Sequence, residues 1–133
     1  MTPDDGFVTR VPITSATDLV NARQRGRALA NELGFSPGQA ALIASAISEL
    51  ARNIVTYANR GEILLWRDGD SGLGISARDN GPGILDVAAA MRAGYSTSSG
   101  LGLGLPGVRR IADTFDIASG PQGTTVTLTM RKR

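Results

Sequence analysis

"STSSGLGLGLPGVRR", Ser96 to Arg110, decides how the rest of the chain is read. Gly102, Gly104 and Gly107 stand in literal G-x-G-x-x-G spacing, which fits a dinucleotide-binding turn, a flexible linker or another phosphate cradle. A Rossmann turn needs a strand directly before the glycines and an acid about 20 residues later, at the end of the next strand. Here the glycines follow a polar loop and the window from Gln122 to Thr127 holds no acid, so that reading fails. A Walker loop needs a lysine directly after its last glycine, and the one lysine of the chain is Lys132. The same absence excludes the usual protein-kinase fold, which depends on a strand lysine. A linker accounts for the glycine and serine content. It does not account for the right-hand end, where Gly104 and then Pro106 lead into the first turn of a helix. Unpaired N–H groups and the positive dipole end at such a start favour an anion. On these residues alone, linker and phosphate cradle both stay open.

The bulk properties narrow the chemistry. A chain of 133 residues, 41% hydrophobic and 20% charged, fits a single domain with one core, over residues 1–133. The absence of Cys excludes disulfides and thiolate catalysis; the absence of His removes the commonest general base and metal ligand. Catalysis is left to carboxylates, hydroxyls, arginine or a cofactor. With 14 basic against 12 acidic residues, the charge is too even for a nucleic-acid footprint. The basic run Arg131, Lys132, Arg133 reads as a solvated tail. "MTPDDGFVTR" lacks the charged and apolar regions of a signal peptide, and no apolar run approaches the ~20 residues of a membrane span. The expectation is a cytoplasmic protein with neither nucleic acid nor membrane as partner.

Along the chain, "FVTRVPI" (Phe7 to Ile13) alternates as a half-buried strand. Ser15 is placed to cap a helix from about Ala16 to Leu33, stopped by Gly34. Ser36 as N-cap and Pro37 at the first helical position open a second helix, to about Ala58. "GEILLWR" and "GLGISARD" read as strands joined by the turn "DGDSG", with Asp79 ending the second. "LDVAAAMRAG" reads as a short helix, and Leu105 or Pro106 starts another that runs to about Thr114. "FDIAS" and "TTVTLTMRK" close the chain as strands around "GPQG". Paired strands in this order imply an α/β fold: a two-layer sandwich of a mixed, mostly antiparallel sheet covered on one face by helices.

The second helix carries Glu49 and Asn53 one turn apart, on one face. Its apolar stripe, Ile43, Ile47, Leu50 and Ile54, spans an arc of about 60°, and the two polar residues lie roughly 95 to 135° from its centre. They sit beside the core and outside it. They read as a polar flank or as a site for a hydroxyl and a hard Mg2+ ion, which takes few protein ligands alongside phosphates. "ARDNGPGI" sets Asp79, Gly81 and Gly83 in D-x-G-x-G order after a strand. It reads as a plain turn, or as an acceptor for an exocyclic amine with glycines that let a flat ring approach the backbone.

The order is more specific than any member. E-x-x-x-N on a helix, D-x-G-x-G after a strand, G-x-G-x-G before a helix and a closing "GTTVTL" strand resemble the Bergerat-type ATPase pattern of the GHKL superfamily, which includes type II topoisomerases, histidine kinases and MutL. Within it, "ISELARNIVTYA", "DNGPGI" and "GYSTSSGLGLGLPGVRRIADTF" are similar to the RsbT-type switch kinases of the bacterial stressosome. The resemblance runs from "NARQRGRALANELGF" to the last strand. It implies that Asn53 ligands Mg2+ and that Glu49 is the catalytic base or orienter. It puts the adenine amino group of ATP on Asp79, with Gly81 and Gly83 along the ring and Thr124 supporting the contact through its hydroxyl or a water. Gly100, Leu101, Gly102, Leu103 and Gly104 become the phosphate cradle, and Ser96 to Ser99, with Thr97, a lid over ATP. Arg109 and Arg92 are the candidate phosphate cations.

The resemblance further implies a serine/threonine kinase acting on STAS-domain antagonist or scaffold proteins, with a PP2C-type phosphatase as second partner. Without His, the chain cannot phosphorylate its own histidine, so the acceptor is another molecule. The related small anti-sigma-factor kinases give the alternative, an anti-sigma factor that phosphorylates a STAS-domain anti-anti-sigma factor.

Overall fold

Pro37 has no amide hydrogen to lose at the first position of a helix, and Ser36 before it accepts a hydrogen bond from the Gln39 N–H at 3.2 Å. These two residues start the long central helix α2, Pro37–Tyr57. The chain is seen here in a computed structural model that describes residues 8–58, 60–81 and 104–133. The other elements are β1 (Thr9–Ile13), α1 (Ala16–Glu32), β2 (Gly61–Asp68), β3 (Gly72–Asp79), α3 (Gly104–Ile111), β4 (Thr114–Gly120) and β5 (Gly123–Arg131). The strand and helix expected at Phe7 and at Leu85 to Gly94 begin or lie outside the described residues.

The sheet runs β1-β2-β3-β5-β4, and all four pairings among the described residues are antiparallel. Helices α1 and α2 pack on each other and against β1, β2 and β3, and α3 packs on α2. The core between the layers holds Ile43, Ile47, Leu50 and Ile54 of α2 against Ile63, Leu65, Ile75 and Leu128 of the sheet. This is the expected two-layer α/β sandwich.

Close approach explains two glycines. In α1 a Cβ on Gly26 would meet Ile47 Cδ1 at 2.0 Å, so the missing side chain lets α1 close onto α2. On the other face of the sheet the Trp66 indole occupies the space a Cβ of Gly74 would need, 2.1 Å away, across the Trp66–Gly74 pair.

Three local expectations need correction. Ser15 stands at the N-cap of α1 in extended conformation, but its side chain makes no capping bond. Asp18 reaches back instead, accepting from the Thr14 N–H and the Thr14 hydroxyl at 2.8 Å each, and these bonds hold its carboxyl below the usual value of 3.8. The last helix stops at Ile111, short of Thr114: the Asp113 N–H donates to the Thr129 carbonyl at 2.9 Å, and Thr114 pairs with Thr129 as the first residue of β4. The C-terminal basic run is exposed but pinned. Arg131 pairs with Asp68 at 3.2 Å and Arg133 with Asp113 at 3.0 Å, while Gln39 accepts from the Arg133 N–H and donates to the Arg131 carbonyl. At the C-terminus of α1, Gly34 (φ +88°) does act as the stop, in a Schellman motif with the Phe35 N–H donating to the Ala30 carbonyl at 3.0 Å.

Candidate functional site

Asp79 ends β3 on the helix-facing side, where its parity is that of Ile75 and Ala77. Its Oδ1 accepts two backbone bonds, from the Gly81 N–H at 3.0 Å and from the Thr124 N–H at 3.2 Å. The first is an Asx turn at the end of β3, and the second crosses the β3–β5 pairing, in which Asp79 stands opposite Thr124. Among the described residues both bonds fall on the same oxygen. The carboxylate is therefore fixed in orientation through Oδ1.

Thr124, buried at the start of β5, reaches Asp79 by its amide. Its hydroxyl lies 2.7 Å from the Ser119 hydroxyl of β4. Asp79, Thr124 and Ser119 thus form a polar row across three neighbouring strands. An open groove of about 500 Å³ runs beside it, lined by Asp79, Ser119, Gly120, Pro121, Gln122 and Gly123 among others.

Glycines set the closeness of this end of the sheet. Gly123 has φ +142°, and a Cβ there would lie 2.0 Å from the Asp79 carbonyl oxygen. Gly61, opposite Asp79 on β2, would place a Cβ 2.2 Å from the Arg78 carbonyl oxygen and 3.0 Å from Ile54 Cγ2. Gly81 would set one 2.7 Å from the Ala58 Cβ and 2.9 Å from its Cα. A side chain at Gly81 would therefore run into the end of α2. This close approach brings the loop after Asp79 onto the helix that carries Glu49 and Asn53.

Glu49 differs from its expected place on the helix surface: it is 3% exposed. Packing of α1, α3 and the sheet on α2 covers more of its circumference than the apolar stripe alone indicates. Arg52 Nη1 donates to Glu49 Oε1 at 2.6 Å, while Glu49 Oε2 has no hydrogen-bond partner among the described residues. Asn53, one turn on, is partly buried. The described residues hold no group of three or more His, Cys, Asp or Glu that could enclose a metal unaided. A single amide oxygen beside a carboxylate suits Mg2+, which retains waters and takes phosphate oxygens.

Helix α3 begins at Gly104 in a left-handed conformation, φ +65°, with Pro106 in its first turn. Gly104, Leu105, Gly107 and Val108 are buried, and Arg109 is exposed in the last turn, away from the start of the helix. Gly83, Arg92, Ser96, Thr97, Ser99, Gly100, Leu101, Gly102 and Leu103 lie outside the described residues.

Sequence reasoning missed Arg52, Ser119, Gly61 and Gly123. The i, i+3 spacing of Glu49 and Arg52 was a usable signal, as was each glycine at a strand end. Ser119 becomes visible only once β4 and β5 are paired in register.

Residues 13–130 match the family model described as histidine kinase-like ATPase domain. The serine/threonine-protein kinase RsbT of Bacillus subtilis (strain 168) is 51% identical over 112 residues, which is 82% of this chain and 84% of that protein. A crystal structure of the RsbU and RsbW domains of a Mycobacterium tuberculosis protein matches 93% of this chain with a TM-score of 0.68 at 23% identity. This chain covers 31% of that larger one, and the likeness is one of fold. An ATP-binding fold follows from the family. The chain belongs to the histidine kinase-like ATPase domain family and, within it, to the RsbT-type serine/threonine-protein kinases.

Proposed function

We propose that the chain works as one domain over residues 1–133 that transfers the γ-phosphoryl group of ATP to a serine or threonine of a STAS-domain antagonist or scaffold protein. By binding a PP2C-type phosphatase in turn, it would act as a partner switch in bacterial stress signalling, in the cytoplasm. The observation that carries the nucleotide half of this reading is Asp79, fixed through Oδ1 by two backbone N–H groups beside an open groove. Identity to a serine/threonine-protein kinase supports the acceptor class.

In this reading Asp79 Oδ2 accepts from the adenine amino group, with Gly81 and Gly83 beside the ring and Thr124 holding the carboxylate. The start of α3 at Gly104, with Gly100 to Leu103 before it, receives the phosphates, and Ser96 and Thr97 belong to the lid. Asn53 holds Mg2+, which when bound neutralises charge on the phosphates. Glu49 accepts the hydrogen bond of the acceptor hydroxyl. The hydroxyl oxygen bonds to the γ-phosphorus as the bond from that phosphorus to the bridging oxygen breaks, ADP leaves with the electron pair, and the hydroxyl proton passes late in the transfer to Glu49 and from there to solvent. In this reading the part of Glu49 is chiefly orientation of the acceptor hydroxyl. Positioning and charge stabilisation supply most of the catalysis in such a transfer.

Asn53→Ala is expected to lower transfer to a purified STAS-domain protein of the same genome by about 100-fold or more while ATP still binds. Transfer at the wild-type rate would remove Asn53 from the site. Capture from native lysate should recover a STAS-domain protein or a PP2C-type phosphatase; recovery of a sigma factor instead would favour the anti-sigma-factor alternative.

A further inference from the structure

We infer that Arg52 is a positioning residue for phosphoryl transfer, holding Glu49 by Oε1 so that Oε2 is left to the acceptor hydroxyl. The inference rests on the reading of Glu49 as the group that orients the acceptor.

Four observations on α2 carry it. Glu49 is buried, so the rotamer of its carboxylate is restricted by packing on most sides. Arg52 Nη1 donates to one oxygen only, at 2.6 Å, within the range of strong charge-assisted bonds. The other oxygen, Oε2, is buried with no hydrogen-bond partner among the described residues. A buried carboxylate oxygen without a donor is costly, and such atoms in folded proteins are commonly reserved for a ligand or a reaction. Finally, the Arg52 side chain is 32% exposed, so the guanidinium bridges the buried carboxylate and the solvent at the rim of the site.

The i, i+3 spacing makes this pair local to one helix. It therefore survives movement of neighbouring loops. A planar guanidinium fixes the carboxylate plane as well as its distance, which an ammonium group does less well. Two other uses of Arg52 make different predictions. A purely structural counterion would offset the buried charge of Glu49, so its loss would lower the melting point and leave kcat of the folded protein unchanged. A phosphate ligand would act on ATP affinity, independently of Glu49.

Transfer of label from γ-labelled Mg-ATP to a purified STAS-domain protein of the same genome separates these. The forms compared are wild type, Glu49→Gln, Arg52→Met, Arg52→Lys and the double variant Glu49→Gln/Arg52→Met, each with ATP varied and a thermal melt recorded. The double variant removes both charges together and so keeps a folded protein available if Arg52→Met alone is unstable. Arg52→Met is expected to lower kcat by about 10- to 100-fold with KM for ATP within about twofold, as for other groups that orient a reacting residue. Arg52→Lys should recover part of the rate. Added to Glu49→Gln, Arg52→Met should cost nothing more.

The inference is overturned if Arg52→Met raises KM at unchanged kcat, since Arg52 would then be a phosphate ligand. It is equally overturned if Arg52→Met slows the Glu49→Gln form by the same factor as wild type, or if folded Arg52→Met is fully active beside an inactive Glu49→Gln. Full activity of Glu49→Gln is a separate result: it removes Glu49 from the reaction, and the role given to Arg52 falls with it.

Discussion

Replacing Asp79 by Asn is expected to weaken ATP binding by about 100- to 1,000-fold and to leave the fold in place. The two bonds that hold the side chain, from the Gly81 and Thr124 N–H groups, both end on Oδ1, and an Asn carbonyl oxygen can accept both. The change is confined to Oδ2, where an acceptor becomes an NH2 donor that would oppose the amino group in the proposed adenine contact. Losing a charge-assisted bond and opposing two donors in a sheltered site costs about 3–4 kcal/mol, which is 100- to 1,000-fold in Kd. Titration with a fluorescent ATP analogue, paired with a thermal melt, measures both parts. Unchanged affinity would take the adenine contact away from Asp79. Lost affinity with a lowered melting point would mean that Asp79 holds the β3–β5 end together and does not choose the ligand.

Gly123→Ala is expected to have the largest effect on stability of any single methyl addition at this end of the sheet. Its φ of +142° is one that side chains rarely adopt, and the new Cβ would lie 2.0 Å from the Asp79 carbonyl oxygen and 3.0 Å from the Asn80 Cα. Both neighbours are backbone, so relief requires the β3 and β5 ends to part. Strain and overpacking together cost about 2–4 kcal/mol, a fall in Tm of roughly 5–15 °C for a domain of this size. Nucleotide affinity should fall with it, because Thr124 is the next residue and supplies one of the two bonds on Asp79. Gly120→Ala in the same hairpin is the control: nothing lies within 4 Å of its Cβ, and its melt should stay within about 2 °C of wild type. If the two variants melt alike, the packing described around Asp79 is wrong.

Much of the fold was legible because the chain marks its boundaries chemically. Pro37 after Ser36 started α2, Gly34 ended α1, and alternation marked β1 as a half-buried strand. Asp79 was legible as a strand end followed by turn-forming residues. What the sequence hid depends on partners distant along the chain. The end of α3 is set by Thr129, which takes Asp113 and Thr114 into the sheet before the helical pattern runs out. Ser15 lost its capping role to Asp18, a competition between two nearby side chains that spacing does not decide. Glu49 reads as a flank on a helical wheel because a wheel carries one buried stripe, whereas α1, α3 and the sheet all pack on α2. The contact between Gly81 and Ala58, which joins the end of β3 to the end of α2, has no local mark in the sequence.

The most direct test of the kinase assignment is mass spectrometry of a purified STAS-domain protein of the same genome after incubation with this chain and Mg-ATP, using Asn53→Ala as the blank. The account requires one phosphate on a serine or threonine of the acceptor, formed with stoichiometric ADP and absent from the blank. ATP binding at normal affinity with no phosphorylated acceptor among the STAS-domain proteins of that genome would contradict it.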